Sequence, residues 1–176
     1  MSPAVSDSST CTLPSGRAVI IPFQKMQWLF PIAVTLHNSE EAICMPKWVA
    51  AHSRQLPAHP GDTKIWFGLL LLTLAAFSVT YLSARKGKGS VWAYLLFGYA
   101  AAMVANVLVP HIPATLVFGE YTPGVVTAVL INLPLMSILL CKAVREQWVS
   151  GTKAIAYALL VPLTIGLAIS ALFVLP

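Results

Sequence analysis

The chain has 176 residues, of which 57% are hydrophobic and only 10% charged. Soluble domains carry about 25% charged residues, so this chain lacks the polar surface that a globule in water needs, and its mean hydropathy of +0.78 agrees. Disorder, a collagen repeat and a disulfide scaffold are excluded, which leaves a multi-pass membrane protein. The net charge of +5 does not point to nucleic acid. The Lys and Arg residues stand in short clusters between apolar runs, where they orient membrane helices and meet anionic headgroups.

Residues 1–25 read as a polar tail, rich in Ser, Thr and Pro at its start, and residues 26–176 as a single domain. Five apolar runs follow: Met26 to Met45, Ile65 to Leu82, Val91 to Val109, Val125 to Val144 and Ala154 to Val174. Each approaches the ~20 residues that span a hydrocarbon core. Backbone groups in lipid must be satisfied within the segment, so the runs are expected to be helices. The fold class is therefore all-α, an integral membrane bundle of about five transmembrane helices. Pro31, Pro134 and Pro162 fall inside runs and are expected to kink them. Cys11, Cys44 and Cys141 show no CxxC spacing, and the two in or beside apolar runs, Cys44 and Cys141, read as buried free thiols.

With five spans and the N-terminus inside, eight Lys and Arg lie on the cytoplasmic side and three outside, the three being Lys47, Arg54 and Lys64. The positive-inside rule then places the N-terminus in the cytoplasm and the C-terminus outside, in a bacterial inner membrane.

The first run carries His37-Asn38-Ser39-Glu40-Glu41. Ionisable groups inside a span are costly and mark function. At about 100° per residue, His37, Glu40, Glu41 and Cys44 share one helix face, while Thr35 and Asn38 fall elsewhere. An imidazole and two carboxylates at i, i+3 and i+4 suit a divalent metal, or an acid/base pair. The plainer alternative ends the run at Leu36 and leaves the polar residues solvated in the headgroup layer. Against it, the apolar pattern resumes at Ala42-Ile43-Cys44-Met45. A second polar cluster, Asn106 and His111, ends the third run, and parity brings it to the same membrane face. His52 and His59 lie in the loop on that side as well. The expected metal ligands are His37, Glu40, Glu41 and His111, with His52 or His59 in reserve. Glu40 and Glu41 are the catalytic candidates, and Asn106 and Cys44 are supporting groups behind the ligands. A helix N-terminus following Pro123-Gly124 could receive an anionic substrate group, although a plain turn accounts for the same residues.

The stretch LFPIAVTLHNSEEAICMPKW resembles the signature of the HXXEE domain family of small bacterial multi-pass membrane proteins. The motif is matched at His37, Glu40 and Glu41, the downstream Asn-to-His element approximately at Asn106 and His111, and Tyr121 to Ala128 is also similar to the family. The resemblance implies an enzyme of this His/Glu type without naming its reaction.

The leading expectation is a membrane-embedded, metal-dependent enzyme with hydrolase-type chemistry, acting on a lipid or other apolar small molecule. Zinc is the first choice of metal, with non-haem iron second. A cation or proton transporter or channel subunit is one alternative; it predicts polar residues through the full depth of the bundle. A non-catalytic membrane scaffold is the other. The lipid bilayer is the expected surrounding partner, with homo-oligomerisation open. No GxSxG nucleophile motif occurs, and Gly87-Lys88-Gly89 reads as a cationic turn rather than a phosphate loop.

Overall fold

The fold comes from a computed structural model, which describes residues 21–56 and 61–174. The expected tail through residue 20, Cys11 and His59 lie outside the described residues. The elements in chain order are α1 (Phe23–Met26), α2 (Leu29–Ala51), α3 (Asp62–Lys86), α4 (Val91–Asn106), a kinked junction (Val107–His111) and α5 (Ile112–Phe118). Then come α6 (Val125–Thr127), a π-helical turn (Ala128–Asn132), α7 (Leu133–Arg145) and α8 (Gly151–Val174). There is no strand among the described residues. Four stretches are long and apolar enough to cross a membrane: Asp62–Lys86, Val91–Phe118, Val125–Arg145 and Gly151–Leu172. With α2, at 23 residues, they form the expected helical bundle of about five members.

α4 is the central helix. Ala93, Gly98, Ala100 and Ala102 are buried along it, and small residues let membrane helices approach closely. Gly98 marks the tightest approach: a Cβ there would lie 2.6 Å from the Tyr157 carbonyl of α8. The outer faces are the reverse of a soluble core, with Phe67, Leu70, Leu130, Leu159 and Leu167 all exposed. A surface of that kind belongs in hydrocarbon. Cys141 is exposed as well, which corrects its expected burial: it faces outward on α7.

The prolines divide by position. Pro31 falls in the first turn of α2, where its missing N–H has no partner to lose. Pro134 follows the π-helical turn, and Pro110 lies in the kinked junction after α4, where Val109 leaves helical geometry (φ −150°, ψ 115°). A proline cannot donate to the carbonyl four residues back and its ring crowds that carbonyl. The wider turn relieves both problems before Pro134, whereas at Pro110 the helix itself breaks. The third run continues past its expected end at Val109, through the junction and on to Phe118.

Buried polar side chains tie the helices together. Asn38 donates from Nδ2 to the Leu69 carbonyl (3.1 Å) and to Thr73 Oγ1 (2.8 Å), joining α2 to α3. At the opposite end, Ser83 donates to Gln27 Oε1 at 2.9 Å. Beside it, Phe23 packs at a tilt against Trp148 (ring centroids 5.0 Å apart) and donates its N–H to Glu146.

Candidate functional site

His37 to Glu41 do not end a helix. They occupy the middle of α2, which runs on to Ala51. His37 is 1% exposed and Glu41 9%. Facing them across the bundle is His111, 3% exposed. In a regular α-helix, positions five apart diverge by about 140°. The chain instead leaves helical geometry at Val109, between the two, and Asn106 and His111 point together: Asn106 Nδ2 lies 2.9 Å from His111 Nε2 and 3.2 Å from His37 Nε2. Glu41 Oε1 lies 3.3 Å from His111 Nε2 and 3.6 Å from His37 Nε2. The two rings meet edge to face at 4.9 Å.

One ligand atom from each of His37, Glu41 and His111 falls within 4.8 Å of the others. Two ligands at zinc–nitrogen or zinc–oxygen distance in a tetrahedron stand about 3.3–3.4 Å apart. The two Glu41–imidazole separations are close to that value, so these three residues fit a divalent ion. Two histidines and one glutamate also form a ligand set known from catalytic zinc sites, which keep one position open.

The hydrogen bonds behind His37 fix its tautomer. Glu40 Oε2 accepts from the Thr127 hydroxyl (2.6 Å) and from the Thr127 N–H (2.9 Å), while Oε1 accepts from the Tyr121 hydroxyl (2.6 Å). With its proton given to Glu40, Thr127 Oγ1 is left to accept from His37 Nδ1 at 3.0 Å. His37 Nε2 therefore carries a lone pair, aimed into the cluster. Partial burial, followed by the hydrogen bond to Glu40, holds the Tyr121 phenol above the ordinary tyrosine range, so it remains a donor.

Gly124 closes the site. Its φ of +86° suits glycine, and a Cβ there would lie 2.6 Å from His111 Cε1 and 2.9 Å from both Glu41 Cγ and His37 Cε1. No other residue type fits against the two rings.

Of the residues expected from sequence, His37, Glu41, His111 and Asn106 come together. Glu40 stands one step around the helix, engaged by Thr127 and Tyr121 rather than by the imidazoles. Cys44 lies beside Tyr121. His52 reaches the same end of the bundle but pairs elsewhere: Nε2 lies 3.2 Å from Glu120, and the ring stacks on Trp48 and abuts Phe118. The helix N-terminus after Gly124 does receive an anionic group, but that group is the Glu40 carboxylate. Thr127, Tyr121 and Gly124 had no role assigned individually from sequence; the Pro-Gly turn followed by a threonine at a helix start was the available signal.

Residues 28–139 match the family model described as "Protein of unknown function with HXXEE motif". The chain is 28% identical over 145 residues to the uncharacterized protein YrkK of Bacillus subtilis (strain 168), covering 82% of this chain and 90% of that protein. No solved structure matches. The matched segment takes in the whole cluster, from His37 through His111 to Thr127, and the chain belongs to the HXXEE family.

Proposed function

We propose that the protein is a membrane-embedded metal-dependent enzyme with hydrolase-type chemistry, acting on a lipid or other apolar substrate at His37, Glu41 and His111. The observation that carries this is the convergence of three buried side chains of ligand type, with Glu41 at 3.3 and 3.6 Å from the two imidazoles. A divalent ion held there, zinc before iron, supplies Lewis acidity toward a water or a carbonyl group. The chain's own residues do the rest. Thr127 and Glu40 hold His37 in the tautomer that presents Nε2, and a carboxylate behind a ligating imidazole raises its basicity. Glu41 is the carboxylate of the motif facing the space in front of both rings, which makes it the third ligand. Asn106 sets the two imidazoles against each other through its amide. Burial excludes bulk water and strengthens each electrostatic contact. The N-terminus is assigned to the cytoplasm and the C-terminus to the outside of a bacterial inner membrane, on the distribution of Lys and Arg.

The test is metal content by mass spectrometry on protein purified in mild detergent, alongside His37→Ala and Glu41→Ala. Near-stoichiometric zinc or iron in the wild type, lost in both variants, supports the assignment. Absence of metal from all three, equally folded, overturns it.

A further inference from the structure

A cleft of about 430 Å³ lies between α2, α3, α4 and α8, within the ~300–1,000 Å³ range of small-molecule sites. One wall is the site itself: His37, Glu41 and Asn106 all line it. Most of the remaining wall is hydrocarbon, including Leu72 of α3, Ala102 of α4 and Ile165 of α8. Small residues make the room: Gly68 and Gly166 line the cleft, and a Cβ built on Gly166 meets nothing within 4 Å. α8 packs along α4 and touches α3 only lightly.

The lining segments are the half of α8 after Pro162, the first half of α3 and the last half of α4. Consecutive membrane helices run in opposite directions, so these halves belong to one leaflet. Gly166 and Ser170 on the α8 wall are exposed, and at this depth the surroundings of the bundle are acyl chains. An aqueous metabolite would have to cross hydrocarbon to enter; a lipid chain is already there.

We infer that the cleft holds one acyl chain of a membrane lipid and sets that lipid's head-proximal ester or amide against the His37/Glu41/His111 cluster. This rests on the cluster being a reactive site, but chain binding is measured without turnover. The probe is a long-chain monoacylglycerol with a diazirine near the middle of its chain. Its neutral head avoids repulsion from Glu41. Photocrosslinking to the full-length protein in detergent, with attachment sites mapped by peptide mass spectrometry, locates the chain.

In the wild type, labels are expected on residues 65–72, 99–106 and 162–170. Gly166→Leu adds a side chain to the cleft wall where a Cβ meets nothing within 4 Å, and leucine is the better helix former. That variant is expected to lose most of this labelling while keeping its metal. His37→Ala is expected to keep the labelling and lose the metal. Labels confined to outward residues such as Leu159, Leu163 and Leu167, unchanged by Gly166→Leu, overturn the inference and leave the metal assignment standing. Gly166-sensitive labelling in a wild type without metal supports the chain site and removes the metal assignment instead.

Discussion

The two ends of the bundle both bury polar side chains, and they do so in opposite ways. At the end that holds α1, donors and acceptors are matched: Ser83 gives its proton to Gln27 Oε1, and Gln27 gives one to the Gln24 carbonyl. Glu146 accepts from the Phe23 N–H and from Lys142. At the other end, two imidazole Nε2 atoms and a carboxylate oxygen crowd one small space, with the Asn106 amide facing both rings. Matched pairs hold a fold together. Converging acceptors, which one amide nitrogen here bridges, instead form a set that could hold a cation, and Gly124 lets the backbone approach the rings where no side chain would fit.

The comparison breaks most visibly at Gly124. Gly124→Ala drives a methyl group into both imidazoles and places a non-glycine residue in the left-handed region, a strain of about 1–3 kcal/mol. The expected result is loss of bound metal together with a lower midpoint of thermal unfolding. Thr127→Val comes next. It removes the oxygen that links His37 Nδ1 to Glu40 while keeping the shape, and such supporting contacts change metal affinity by about 10–100-fold. Metal titration is expected to show a loss of that size, restored by Thr127→Ser.

Ser83→Ala probes the matched end. It leaves the buried Gln27 Oε1 without its donor, at a cost of about 1–3 kcal/mol. Thermal unfolding shifts down and metal content stays as in the wild type. Adding Gln27→Leu removes the orphaned acceptor and recovers most of the stability, because deleting both partners is far milder than deleting one.

The smallest effect is at Glu146. Burial opposes its charge, but the hydrogen bond from Lys142 and then that from the Phe23 N–H hold the carboxyl below the usual range. A lowered folded-state pKa gives stability that is fully present above the unfolded value, about 4.3, and is lost as the pH falls through the folded one. Acidification through that window is expected to loosen Phe23 from Trp148, read as a small tryptophan fluorescence step that is absent in Glu146→Gln.

Much of this was legible in the residues. The apolar runs located the long helices because span length is fixed by the bilayer. Helical spacing also separated Asn38 from His37, and Asn38 does turn to α3. The division of labour between Glu40 and Glu41 was not legible. Both fall on the face shared with His37, but neighbours in a helix diverge by about 100°, so only one can face the opposite histidine. Which one depends on where α6 and His111 stand, a long-range property. The pairing of Asn106 with His111 was hidden for a related reason: it depends on a break in the helix at Val109 that regular periodicity does not anticipate. Thr127 reaches Glu40 from 87 positions away in the chain, and no local pattern encodes that contact.

The central claim is that Glu41 faces a metal while Glu40, its neighbour, supports from behind. Cobalt(II) titration of the detergent-purified protein, followed through the visible d–d absorption of the bound ion, tests it directly on wild type, Glu40→Gln and Glu41→Gln. The account predicts stoichiometric binding with a four-coordinate spectrum in the wild type, the same spectrum at weakened affinity in Glu40→Gln, and no such spectrum in Glu41→Gln. Equal binding by the two variants, or none by the wild type, would contradict it.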